Sequence, residues 1–156
     1  MSTFADHETW MRFALLEAQK SFAKDEVPVG AVAVHEGRII GRGHNLVETL
    51  QDPTAHAEIL ALTAAANSLA SWRLEEVVLY VTLEPCMMCT GALLLARIAG
   101  IVYGAADERY GACGSKMNLA NGGQLDVQAP VIGGVLQQES SEMLKAFFRK
   151  LRQRER

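Results

Sequence analysis

Val77-Val78-Leu79-Tyr80-Val81-Thr82 leads into Leu83-Glu84-Pro85-Cys86-Met87-Met88-Cys89, and the change of pattern at that junction decides how the chain folds. The first six residues have the β-branched and aromatic make-up of a buried strand. Pro85 then opens a helix that runs through Ala96, with Cys86 and Cys89 in its first turn. Ile101 to Tyr103 follows as a further short strand. Upstream, Met11, Leu15, Ala18 and Phe22 form one apolar stripe on a helix from about Glu8 to Ala23. Val29 to His35 reads as a buried strand, and Glu36-Gly37 as a tight turn into Arg38 to Gly43, which predicts a hairpin. Asp52-Pro53 offers an N-cap and a first-turn proline for a helix through Ala66, carrying His56 and Glu58 in or near its first turn. Downstream, residues 104–123 are glycine-rich and loop-like. Val131 to Leu136 is a last strand broken by Gly133-Gly134, and a terminal helix spans about 140–153. This alternation predicts a single α/β domain over residues 1–156, with a mixed sheet covered on both faces.

The 156 residues suffice to bury a core without disulfide staples. The start, Met1 to Asp6, has neither the basic end nor the apolar core of a secretory signal. The apolar stretch from Gly91 to Ala106 is interrupted by Arg97 and falls short of a membrane span. A cytoplasmic protein without membrane contact is expected. Two of the three cysteines lie in a CxxC, which fits metal binding in a reducing compartment better than a disulfide framework. The net charge of −3 is unevenly spread: Lys145, Arg149, Lys150, Arg152, Arg154 and Arg156 face Glu155 alone, and the preceding residues carry −8. Such an end is either a phosphate-contacting element or a solubilising helix terminus.

Cys86 and Cys89 share a face of a helix and can grip one ion, and a helix N-terminus favours the thiolate that binds it. His56 and Glu58 stand roughly 200° apart around an ideal helix. They cannot both reach a site beside the helix, but both can reach one beyond its N-terminal end. Two helices aiming their N-termini at one zinc therefore satisfy every spacing, and they place the site at the strand ends. His56, Cys86 and Cys89 give three ligands and leave a fourth position for water, the mark of a catalytic zinc. Such water ionises near neutral pH, and Glu58 is placed to move its proton. A structural zinc would need a fourth ligand from Cys113, His7, His35 or His44. Cys113 reads as a small buried residue, His35 as a strand end, and His7 and His44 as facing solvent or capping backbone. The arrangement H-x-E…P-C-x-x-C is that of zinc deaminases acting on nucleobases.

Further stretches narrow this. Glu26 to Val32 (EVPVGAV), Asp52 to Ile59 (DPTAHAEI), Leu79 to Cys86 (LYVTLEPC) and Met88 to Ala92 (MCTGA) resemble the bacterial tRNA-specific adenosine deaminases. So do Val102 to Ala105 with Asp107, Gly111 to Ser115, and Phe147-Phe148-Arg149. The resemblance implies a cytidine-deaminase-like α/β/α sandwich with a mixed five-stranded sheet, one zinc per chain, and a homodimer. It implies conversion of the wobble adenosine of a tRNA anticodon to inosine, with the anticodon stem-loop as partner. By the same resemblance, Asn45 holds the base, Val29 packs on it, and Asp107 lies near the substrate nucleotide. Phe147, Phe148 and Arg149 flank the anticodon. Arg109 stands where the family often has lysine, so the charge is kept. Two rival readings share the zinc motif. One is a deaminase of a free base or nucleoside, of guanine or cytosine type. The other is a non-catalytic, zinc-stabilised RNA-binding subunit, which should lack the carboxylate that Glu58 supplies.

Overall fold

Successive side chains of a strand point to opposite faces of its sheet, and the apolar residues of this chain divide accordingly. The computed structural model describes residues 4–155, so Met1 to Thr3 of the polar start and Arg156 of the basic end lie outside the described residues. In chain order the elements are α1 (Phe4–Ala23), β1 (Gly30–His35), β2 (Arg38–His44), α2 (Val47–Leu50), α3 (Ala57–Leu69) and β3 (Val78–Leu83). Then come α4 (Met87–Leu95), β4 (Gly100–Ala105), β5 (Val131–Ile132) and α5 (Gln137–Arg154). The strands form one mixed five-stranded sheet in the order β2-β1-β3-β4-β5. β1 is antiparallel to both β2 and β3, whereas β3, β4 and β5 run parallel.

Ala31, Ala33, Leu79, Val81 and Ile101 pack on one face against Ala57, Ala61 and Ala65 of α3 and Leu93 and Leu94 of α4. Their neighbours Val32, Val34, Tyr80 and Val102 take the other face with Met11 and Ala14 of α1. α5 joins α1 on that side, where Phe147 meets the edge of Phe22. Helices therefore cover both faces, as the alternation predicts. On β2, a Cβ at Gly41 or Gly43 would run into the Ala61 or Ala57 carbonyl oxygen. Glycine at these positions brings the α3 backbone directly onto the strand and fixes where its N-terminus ends.

Several boundaries differ from the sequence expectation, each for a local reason. Asp52 does not cap α3: its Oδ1 accepts from the Thr54 amide and hydroxyl, both at 2.8 Å, which makes a side-chain turn before the helix. α3 starts at Ala57 with His56 as N-cap. Likewise α4 starts at Met87, with Cys86 as N-cap and Pro85 one residue outside. The last strand is cut to Val131–Ile132, since Gly134 turns the chain at φ +86° and α5 begins by Gln137. α2 is unanticipated: buried Glu26 caps it from a distance, accepting from the Glu48 amide at 3.1 Å and the Thr49 amide at 2.6 Å.

Candidate active site

Both N-cap positions that differ from expectation belong to proposed metal ligands. His56 caps α3, Cys86 caps α4, and Cys89 lies in the first turn of α4. The two helices meet at the C-terminal end of β3. The start of β1 comes to the same place, because Ala31 lies opposite Val81. His56 Nδ1 is 3.7 Å from Cys86 Sγ and 3.5 Å from Cys89 Sγ. Tetrahedral zinc with its usual N and S bond lengths sets its ligand atoms about 3.6 Å apart across an N···S edge, so the donor set fits. Among the described residues, no fourth histidine, cysteine or carboxylate joins this group.

The other fourth-ligand candidates have partners elsewhere. Cys113 Sγ lies 3.4 Å from Thr90 Oγ1. His44 Nε2 is 2.9 Å from Lys24 Nζ. His35 sits with exposed Glu36 and Glu76 at the opposite end of β1. His7 is a correction to the expectation of solvent or a local cap, since it is buried with Nδ1 2.8 Å from the Tyr80 hydroxyl.

The electrostatics suit a cation. Hydrogen bonding from Cys89 outweighs burial, and with His56 beside it the Cys86 thiol is held down at about 4. Cys89, donating to that thiolate, is pushed up in turn, and burial raises it further. Such a pair deprotonates fully when a metal replaces the shared proton. Glu58, in the first turn of α3, is only 4% exposed. Burial pushes its carboxyl up to about 7 against a backbone N–H that lowers it, and the Cys86 charge adds to the rise. The neighbouring Cys89 thiol works the other way and lowers it. A carboxyl poised near neutrality beside a cation site can accept and return protons under working conditions.

The structure brings Val29 and Asn45 to this place. The Asn45 amide donates to the Val29 carbonyl at 3.1 Å, and the Asn45 carbonyl accepts from the Ser21 hydroxyl at 2.9 Å. The Leu46 amide then donates to the Ala55 carbonyl at 3.0 Å, one residue before His56. Val29 is buried on the same face as α3. The Asn45 side-chain amide makes no hydrogen bond among the described residues, so the backbone fixes it and its polar edge is left for another group. Asp107 enters the loop after β4, where its Oδ1 accepts from the Arg109 amide at 3.0 Å and the Tyr110 amide at 3.1 Å.

The aromatic pair splits. Phe147 is 5% exposed, wedged against Phe22, whereas Phe148 is 42% exposed. Phe148 lines an open pocket of about 420 Å³ with Leu144, Lys145, Arg149 and Arg152. Lys150 and Arg154 are held by Asp25 at 3.3 and 3.0 Å, so the basic end has pinned and free members. Sequence reasoning missed Glu84, a buried carboxylate with several backbone donors. A carboxylate closing an apolar strand immediately before the ligand segment is the signal that marks it.

The chain matches the model of the MafB19-like deaminase family over residues 5–152. It is 49% identical to the tRNA-specific adenosine deaminase of Bacillus subtilis (strain 168) over 96% of this chain and 92% of that one. To the tRNA-specific adenosine deaminase of Aquifex aeolicus (strain VF5) it is 46% identical, over 93% and 95% respectively. A solved structure from a study of A-to-I editing by tRNA deaminases at the wobble position superposes with a TM-score of 0.83 at 41% identity. That match covers 86% of this chain and 98% of the other. Guanine deaminase from Nitrosomonas europaea superposes at 0.77 with 25% identity, covering 90% and 83%. From identities of this size across nearly its whole length, the chain belongs to the tRNA-specific adenosine deaminases within the MafB19-like deaminase family.

Proposed function

We propose that this protein hydrolyses the wobble adenosine of a tRNA anticodon to inosine and ammonia, with one zinc per chain on His56 Nδ1, Cys86 Sγ and Cys89 Sγ. The observation that carries this reading is the convergence of those three donors beside a buried carboxyl poised near 7. Zinc, when bound, supplies the Lewis acidity that makes water a nucleophile at neutral pH. Glu58 takes up the first proton released as water adds at C6 of the purine and gives it to N1 of the ring; it then carries the remaining hydroxyl proton to the amine, which departs as ammonia while the C6 carbonyl forms. Burial suits it to this, because it binds and releases a proton in the working range. Asn45 presents an amide that both donates and accepts, which matches a purine edge, and Val29 gives the base an apolar wall. Phe148 offers a stacking face, and Arg149 beside it a charge for phosphate. Phe147 supports Phe148 from the core side, and Asp107 shapes the loop near the nucleotide.

The partner is the anticodon stem-loop, and the protein acts as one domain over residues 1–156. A homodimer is part of this reading. The apolar groove formed by Leu62, Ala66, Trp72, Leu74, Leu95 and Ala96 offers a surface that a second copy would cover. No described helix is long and apolar enough to cross a membrane. A cytoplasmic location belongs to the same reading.

The test offers the zinc-loaded protein total tRNA, adenosine, cytosine and guanine separately. Inosine in tRNA with no turnover of the small molecules supports the reading. Brisk guanine or cytosine turnover with unchanged tRNA supports a free-base deaminase, and no turnover of any substrate supports an RNA-binding subunit.

A further inference from the structure

Glu84 directly follows β3, two residues before Cys86, and is 2% exposed. It has no ionic partner among the described residues. Its charge is met instead by the backbone of a loop more than twenty residues away. Oε1 accepts from the Asp107 amide at 3.1 Å, and Oε2 accepts from the Cys113 amide at 3.0 Å and the Ser115 amide at 3.1 Å. The Ser115 hydroxyl donates to Oε1 as well. The neighbouring backbone extends the seam: the Glu84 amide donates to Ala105 and the Ala112 amide to Pro85, both at 2.8 Å. At Gly111 the loop comes so close that a Cβ would strike the Glu84 carboxylate and the Asp107 carbonyl.

Ala112 and Cys113 are buried in the middle of the loop, with Cys113 Sγ 3.4 Å from Thr90 Oγ1, whereas both of its ends, at Asp107 and Ser115, are fastened to Glu84. The β-bridge of Cys113 with Asn118 joins the loop only to the residues that follow it. Aligned N–H donors around one carboxylate form strong, directional bonds, and three of these amides lose their acceptor if the carboxylate goes. What the anchored loop presents outward is Arg109, with its guanidinium 5.3 Å from the centre of the Tyr110 ring, and Tyr110 is 60% exposed. A cation beside an aromatic face is the chemistry that meets a nucleotide.

We propose that Glu84 is a positioning residue, which fixes the Asp107–Ser115 loop on the segment that carries Cys86 and so sets where Arg109 and Tyr110 meet the RNA substrate. The inference rests on the tRNA-deaminase reading and adds a residue to it. Two variants disturb the loop by opposite means. Glu84→Gln keeps the volume but turns an acceptor oxygen into a donor facing amides. Gly111→Ala keeps the carboxylate but forces the loop away from it.

Each variant is compared with the parent for zinc content, amide hydrogen exchange over residues 107–115, and KM and kcat on an anticodon stem-loop. Both should keep zinc and lose protection at Asp107, Cys113 and Ser115. KM should rise about ten-fold or more with kcat within about three-fold, because uniform binding is lost and the reacting groups are untouched. Ser115→Ala should shift KM less, in the same direction. Unmoved KM in both variants, with protection lost, overturns the positioning role. So does a fall in zinc and kcat at constant KM, which would make Glu84 a support of the ligand segment. A parent inert on the stem-loop overturns the functional reading itself, and is seen before any variant is made.

Discussion

The basic end of the chain divides into pinned and free cations, and this division predicts how RNA binding responds to salt. Asp25, in the turn after α1, pairs with Lys150 and Arg154, and the Lys150 ammonium also sits 5.2 Å over the Phe22 ring. The two cations, Arg154 first, hold the Asp25 carboxyl below its ordinary range, so the clamp is intact at neutral pH. Among the described residues, Lys145, Arg149 and Arg152 have no such ionic partner, and they line the pocket with Phe148. Changing Arg149 and Arg152 to Gln should therefore remove two phosphate contacts. At about 0.7 per contact for single-stranded RNA, the log–log salt slope should become shallower by about 1.4. Between about 50 and 200 mM salt, that is about a seven-fold smaller loss of affinity than the parent shows. Asp25→Asn should act oppositely, freeing Lys150 and Arg154 and steepening the slope by up to the same amount. Affinity for an anticodon stem-loop measured across a salt series, with melting temperatures as control, reads both effects. Melting should hardly move, because exposed charges contribute little stability. An unchanged slope in the double variant, or weaker binding in Asp25→Asn, would refute the reasoning.

Glu58→Gln should retain zinc by elemental analysis while kcat falls by about 10²- to 10⁴-fold, as expected for loss of a general acid–base group; activity within a few-fold of the parent contradicts its role. Gly43→Ala should drive a Cβ into the Ala57 carbonyl and lift the start of α3. Denaturant unfolding should show a loss of about 1–3 kcal/mol, with reduced zinc affinity because His56 caps that helix. Glu26→Gln tests the remote cap on α2. Burial opposes the Glu26 charge, but the Thr49 and Glu48 amides hold its carboxyl below the ordinary value. A depressed folded-state value stabilises above the unfolded one and is lost as pH falls through the folded one. The stability gap between parent and variant, about 1–3 kcal/mol at neutral pH, should therefore close on acidification, and a pH-independent gap would count against the cap.

What the sequence reveals and what it hides follow from the range of the interactions. The strand cores at Val32, Leu79 and Val81 were readable because a short run of β-branched and apolar residues, buried on both faces of a sheet, is a local signal. The convergence of His56, Cys86 and Cys89 was readable because Cys86 and Cys89 share a helix turn, and because His56 and Glu58 make sense only beyond a helix end. Helix starts were misplaced at Asp52 and Pro85, where good capping residues are used by a turn or lie one position outside the helix. The interactions of Glu26 and Glu84 were hidden because their partners are distant amides, and a backbone donor has no sequence signature. Similarly, nothing local to α5 tells that Asp25 engages Lys150 and Arg154 while leaving Arg149 free.

The most direct test of the account uses two anticodon stem-loops, one with adenosine at the wobble position and one with adenosine only at neighbouring loop positions. Each is incubated with the zinc-loaded protein and then read by mass spectrometry of nuclease fragments. The account predicts a gain of about one mass unit, adenosine to inosine, confined to the wobble nucleotide of the first RNA. Unchanged wobble adenosine, or equal conversion at the neighbouring positions, would contradict it.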